Sequence, residues 1–180
     1  MSTLKTNEIQ TTGGQKLLGS SGSIIQYVQS TKTDTFYSNT ADGNWTDVTG
    51  MTATITPNNS SNKILVKCFL GKISGLNNNT FRILRGTSIP SVIGDTDGSR
   101  TRALFSDSNQ GRDSNHSGSA GFEFVDSPST TSSTTYKLQV MSENISGQGF
   151  GLNRTHSNTN NTNGYNARCA STMILMEIVG

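Results

Sequence analysis

From Ser23 onward, apolar and polar side chains alternate with a period of two, and turn residues break the alternation at regular intervals. The segment KILVKCFLGKI sets Ile64, Val66, Cys68 and Leu70 on one face and Lys63, Leu65, Lys67 and Phe69 on the other. Such alternation marks a half-buried strand. TFRILRG repeats it, with Phe81, Ile83 and Arg85 opposite Arg82 and Leu84. Comparable runs at 23–31, 34–38, 45–56, 101–106, 120–126, 135–143 and 171–179 are separated by turn signals such as the Asp-Gly pair of TADGNW and Pro57 in TPNNSSN. No stretch carries an apolar stripe of helical period. Short strands at this spacing predict an antiparallel all-β sandwich or barrel with little helix.

The last run, STMILMEIV, is apolar on both faces: Met173 and Leu175 point one way, Ile174, Met176 and Ile178 the other. A strand of that kind needs cover on both sides. One face packs on an opposite sheet; the other calls for a loop or a neighbouring subunit. These five residues are the expected subunit interface of a cyclic oligomer. Residues 1–22 are different in character, two weakly apolar pieces around TTGG followed by the small-residue joint GSSGS. Leu4, Ile9, Leu17 and Leu18 are too few for a core and read as a peg that anchors on a partner. The chain therefore divides into an attachment segment, 1–22, and a β head, 23–180.

Composition sharpens this picture. Ser, Thr, Asn and Gly supply 87 of 180 residues, and only 31% are hydrophobic. That bias suggests disorder, but disordered chains lack regular β-branched and aromatic runs. The reading is a folded β protein with long polar loops. Fourteen basic and 12 acidic residues are scattered, with no basic stripe of the sort that nucleic acid requires. No apolar run is long enough to span a membrane, and the first residues hold no signal-peptide core. Cys68 and Cys169 stand in strand-like contexts and read as buried small hydrophobes.

Candidate chemistry is sparse. Asp95 and Asp97 before Gly98 suit an Asp-Gly turn better than a calcium loop, whose later acidic ligands are missing. His116 and His156 each stand alone, without ligand spacing. Neither a paired-carboxylate motif, a phosphate-cradling glycine loop nor a nucleophile elbow is recognisable. No catalytic residue, metal or cofactor is assigned, and the chain is not read as an enzyme. The loop before the last strand, NRTHSNTNNTNGYNARC, is more informative. Short amides, hydroxyls and an aromatic ring offer donors, acceptors and a platform, the means by which surface sugars are held. Asn153, Arg154, His156, Asn160, Asn161, Tyr165 and Asn166 form the candidate receptor contact, with Ser106–Ser119 as a second such loop.

LKTNEIQTTGGQKLLGSSGSIIQYVQ, ITPNNSSNKILVKC, FRILRG, GDTDGSRTRA and STMILMEI together resemble virion structural proteins of tailed bacteriophages, especially those of marine bacteria, described as tail fibres or fibre-like appendages. The strand succession and apolar last strand also resemble the tumour necrosis factor-like jelly roll, which assembles as a trimer. The resemblance implies a homotrimeric jelly-roll head on a short extended N-terminal segment that joins other virion proteins of the tail or capsid. The expected role is that of a tail-fibre adhesin, assembled in the host cytoplasm, whose head binds host surface polysaccharide. A capsid decoration or head-fibre protein is the alternative. A secreted lectin-like module fits less well, for want of a signal peptide. Neither nucleic-acid binding nor membrane insertion is expected.

Overall fold

The computed structural model describes residues 9–10, 12–13, 16–39, 44–76, 78–90, 92–108, 114–142 and 149–180. The fold is all-β and antiparallel, and helix among the described residues is limited to a 3-10 turn at Gly164–Asn166. Strands β1 (Ile9–Gln10) and β2 (Lys16–Leu18) make a small hairpin, with Ile9 opposite Leu18. The N-terminal segment is thus folded back on itself over these residues rather than simply extended. Leu4 lies outside the described residues.

Two larger sheets face each other. The first joins β3 (Ile24–Lys32), β12 (Ser171–Ile178), β6 (Lys63–Ser74), β11 (Phe150–Leu152) and β4 (Phe36–Ser38) in that order, and β9 (Gly118–Asp126) also pairs with β6. The second runs β5 (Thr46–Ile55), β10 (Thr134–Ser142), β7 (Asn78–Arg85) and β8 (Phe105–Ser108). Inward residues of both sheets interdigitate as one core, as in a sandwich. At its centre Phe81 stacks on Phe105 at 4.4 Å and meets the edge of Phe150 at 5.5 Å. Fully burying a side chain of that size contributes about 1.5–3 kcal/mol.

Most polar side-chain atoms buried among the described residues are paired, the exceptions being Gln26 Oε1, His156 Nδ1 and Glu177 Oε2. At one end Arg85 Nη1 donates to both carboxylate oxygens of Asp126, at 2.9 and 2.8 Å, and the Tyr136 hydroxyl donates to Asp126 Oδ2 at 2.7 Å. Elsewhere Glu177, with no exposed surface, accepts at Oε1 from Asn58 N and Asn62 Nδ2, each at 2.6 Å, while its Oε2 is buried without a hydrogen-bond partner among the described residues. Strand β5 is interrupted at Gly50, whose φ of +84° is natural only to glycine. The ladder to β10 shifts there, between Lys137 and Gln139, so Val48 and Met51 both face inward. That phase change lies inside a run that alternation alone reads as continuous.

Candidate functional site

Strand β11 ends at Leu152, and Asn153 then turns the chain with φ +60°. Asparagine tolerates this left-handed conformation better than most residues. Its backbone N–H donates to Lys72 O at 2.8 Å, and its Nδ2 donates to Lys32 O and Asp34 O at 2.9 and 3.0 Å. Its Oδ1 accepts from Ser171 Oγ at 2.7 Å. Asn153 is therefore a buried junction of β3, β6, β11 and β12, which corrects its expected place in the contact surface. A residue with no exposed atoms touches no receptor.

The polar loop that follows is built on that junction. Lys72, buried on β6, donates its Nζ to Tyr165 O at 2.8 Å and Ala167 O at 2.7 Å. Thr155 Oγ1 donates to Asn166 Oδ1, Asn166 Nδ2 to Asn161 Oδ1, and Asn163 Nδ2 to Tyr165 Oη, all within 3.0 Å. The return to β12 passes directly over β6 at Gly71, where any Cβ would lie 2.1 Å from Ala170 O. Much of the loop's polarity is thus spent on its own shape. Asn160, Asn161 and the Tyr165 ring stay exposed, and Asn166 is half-buried.

Arg154 and His156 gather round Tyr37 of β4. The Arg154 guanidinium lies 4.7 Å from the Tyr37 ring centroid, and the His156 ring lies 5.9 Å from it. Arg154 Nη2 also donates to His156 O at 2.7 Å. Burial pulls the Arg154 pKa down, with the negative potential of Tyr37 acting against it. The structure brings the two candidate loops together: Ser157 N donates to Ser114 O at 3.0 Å, and Ser157 Oγ to Asn115 Oδ1 at 2.9 Å. The second loop is shorter than expected, because Ser106–Ser108 and Gly118–Ser119 belong to β8 and β9. Residues 109–113 of it lie outside the described residues. His116 is exposed, and no group of three or more His, Cys, Asp or Glu gathers among the described residues.

The expected subunit interface divides by face. Met173 and Leu175 have no exposed surface and belong to this chain's own core. Ile174, Met176 and Ile178 stand half-covered on the outer face. There the register puts Tyr27, Met176, Leu65 and Val125 in one row across β3, β12, β6 and β9. Ile24 and Ile25 crowd beside Ile178 at a bulge, and Phe69 lies opposite Thr172. Tyr27 is 54% exposed, Phe69 50% and Ile24 56%. Tyr27, Tyr37, Lys72 and Val125 were not singled out by the sequence, and Leu65 and Phe69 only as the second face of a half-buried strand; for those on the outer face the missing signal was register, which joins distant segments.

Asp97 is engaged by Arg100, whose Nη1 donates to its carboxylate at 2.7 Å across the Asp-Gly turn. Cys68 is buried and Cys169 half-exposed, both as thiols. No helix among the described residues is long and apolar enough to cross a membrane. Comparison with known proteins finds no matching family model and no similar curated protein.

Proposed function

We propose that this chain is the head of a homotrimeric virion appendage, a tail-fibre adhesin that contacts the host surface. The observation that carries the reading is the apolar row Tyr27, Met176, Leu65 and Val125 on one outer sheet face, with Ile24, Ile25 and Ile178 on one side of it and Ile174, beside the Lys67–Glu123 ion pair, on the other. Monomeric soluble proteins rarely leave a contiguous patch of this kind wet. The strand order supports a jelly roll: β3-β12-β6-β9 faces β5-β10-β7-β8, the first and last long strands lying side by side. Three copies meeting through the first sheet bury the patch. The exposed Asn160, Asn161 and Tyr165 then provide a hydrogen-bonding surface with one aromatic platform for polysaccharide, repeated three times. Residues 1–22 link the head to other virion proteins.

Light scattering on the purified chain tests the assembly, with an expected mass three times 19.2 kDa. A monomer of that mass overturns it. Gold-labelled antibody on intact particles tests the location: labelling at the tail, together with blocked adsorption, supports the adhesin. Labelling spread over the shell establishes the capsid-decoration alternative instead. Deletion of residues 1–22 is expected to leave the trimer intact and abolish its incorporation into particles.

A further inference from the structure

The outer face of the second sheet carries a cleft of about 420 Å³, remote in the fold from the polar loop on β11 and β12. Its floor is Arg82 on β7, which stands in register with Gln139 on β10 and, beyond it, Asp47 on β5. Gln139 joins its neighbours, donating Nε2 to Asp47 Oδ1 at 2.6 Å and accepting from Arg82 Nε at 2.8 Å. Lys137 donates to Asp47 Oδ2 at 2.7 Å and neutralises that carboxylate. Arg82 is thereby held flat, its guanidinium carbon 4.1 Å from the Trp45 ring centroid. Over this floor the β7–β8 connection supplies Ile89, Pro90, Ile93, Thr101 and Arg102. That wall is tied to itself, by Gly94 N to Ala103 O at 3.0 Å and Arg102 Nε to Gly94 O at 2.6 Å.

We propose that this cleft binds an acidic saccharide, a pyranose that carries a carboxylate. Both arginines are fixed through Nε, and among the described residues neither spends its Nη atoms on a hydrogen bond. Two preset guanidinium edges beside one cleft suit a planar carboxylate, which accepts paired N–H donors. Trp45, Pro90, Ile89 and Ile93 give the apolar wall against which the C–H face of a sugar ring packs, and Thr101 adds a hydroxyl. A bare inorganic anion uses the arginines and leaves that wall wet. A neutral sugar uses the wall and leaves the cations unmatched. A peptide strand adds to a sheet edge, whereas Arg82 and Gln139 sit on the interior strands β7 and β10. The cleft is complete within one chain, so the inference depends on neither the trimer nor the virion reading.

Trp45 is the chain's single tryptophan, and its emission reports on this cleft alone. The experiment titrates the full-length protein with a digalacturonate, with the matching neutral galactose disaccharide, with inorganic sulfate and with a triglutamate peptide. The expected result is a saturable change with the digalacturonate and binding about tenfold or more weaker for the other three. Arg102→Gln is expected to weaken digalacturonate binding about tenfold while circular dichroism stays unchanged, since Arg102 is an exposed loop residue. Arg82→Gln is the second variant, expected to weaken it at least as much. No saturable response, an equal response to the neutral disaccharide, to sulfate or to triglutamate, or undiminished binding by both variants overturns the proposal.

Discussion

The Ser171 hydroxyl donates to Asn153 Oδ1 at 2.7 Å, closing the base of the polar loop across 18 positions of sequence. The same hydroxyl accepts from Gly71 N at 3.0 Å. The loop therefore springs from a fixed mouth, and its exposed residues are presented by a scaffold that is set beforehand. Preorganisation of this kind lowers the ordering cost of binding.

Asn153→Ala is expected to destabilise the fold by about 2–4 kcal/mol in urea unfolding. It removes three side-chain hydrogen bonds, strands buried carbonyls, and places alanine at φ +60°. Asn160→Ala, at an exposed position of the same loop, is expected to shift stability by no more than about 0.5 kcal/mol. If both variants prove equally mild, Asn153 is not the junction described.

Alternation made most strands legible because inward residues such as Ile64, Val66 and Leu70 are set by local chemistry. Strand β11 escaped it, since Phe150, Gly151 and Leu152 are all buried and too short for any period to show. Nothing in the local sequence marks Glu177 as buried; its partners Asn58 and Asn62 come from a turn more than 100 residues earlier. The cleft was invisible for the same reason. Trp45, Arg82 and Arg102 occupy three separate segments that only sheet register and the long β7–β8 connection bring together. The polar loop could be found from composition, but not that Asn153 faces inward.

Alkaline stability tests the buried Tyr136 cluster. Burial, reinforced by the hydrogen bond to Asp126 and that carboxylate's charge, holds the phenol far above its ordinary value of 10.0. Above pH 10 the unfolded chain gives up this proton while the folded chain keeps it. The tyrosine's contribution is complete below pH 10 and declines as pH rises, by up to about 1.4 kcal/mol per pH unit. Tyr136→Phe lacks that slope. At pH 8 the variant is expected to be about 1–3 kcal/mol less stable than the parent, for loss of a hydrogen bond to a charged group, and the gap narrows towards pH 11. Parallel stability curves for parent and variant from pH 8 to 11 count against it.

Thiol reactivity checks the core independently. Burial pushes the Cys68 thiol well above its ordinary value of 9.0, which suppresses the reactive thiolate. Cys169 is half-exposed at the end of the polar loop. Under native conditions at pH 8, an aromatic disulfide reagent is expected to release one equivalent promptly, from Cys169. The second appears only in denaturant. Prompt release of two equivalents from the folded chain would place Cys68 outside the core.

The two methionines of β12 separate folding from assembly. Met173 has no exposed surface and packs between the sheets, whereas Met176, three residues on, faces outward beside Tyr27 and Leu65. Met173→Lys introduces an unpaired charge into the core, and the chain is expected to lose its cooperative unfolding transition. Met176→Lys puts its charge where solvent reaches it in a single chain. Its circular dichroism is expected to match the parent's. In the proposed trimer that ammonium is trapped in the apolar row, and Glu123, one row away on the same face, is already paired with Lys67, so light scattering is expected to show a folded monomer. Leu65→Lys, in the same row on β6, is expected to repeat the result. A parent that is trimeric, with Met176→Lys and Leu65→Lys equally trimeric, would show that the copies meet elsewhere and that this face is covered by something other than itself.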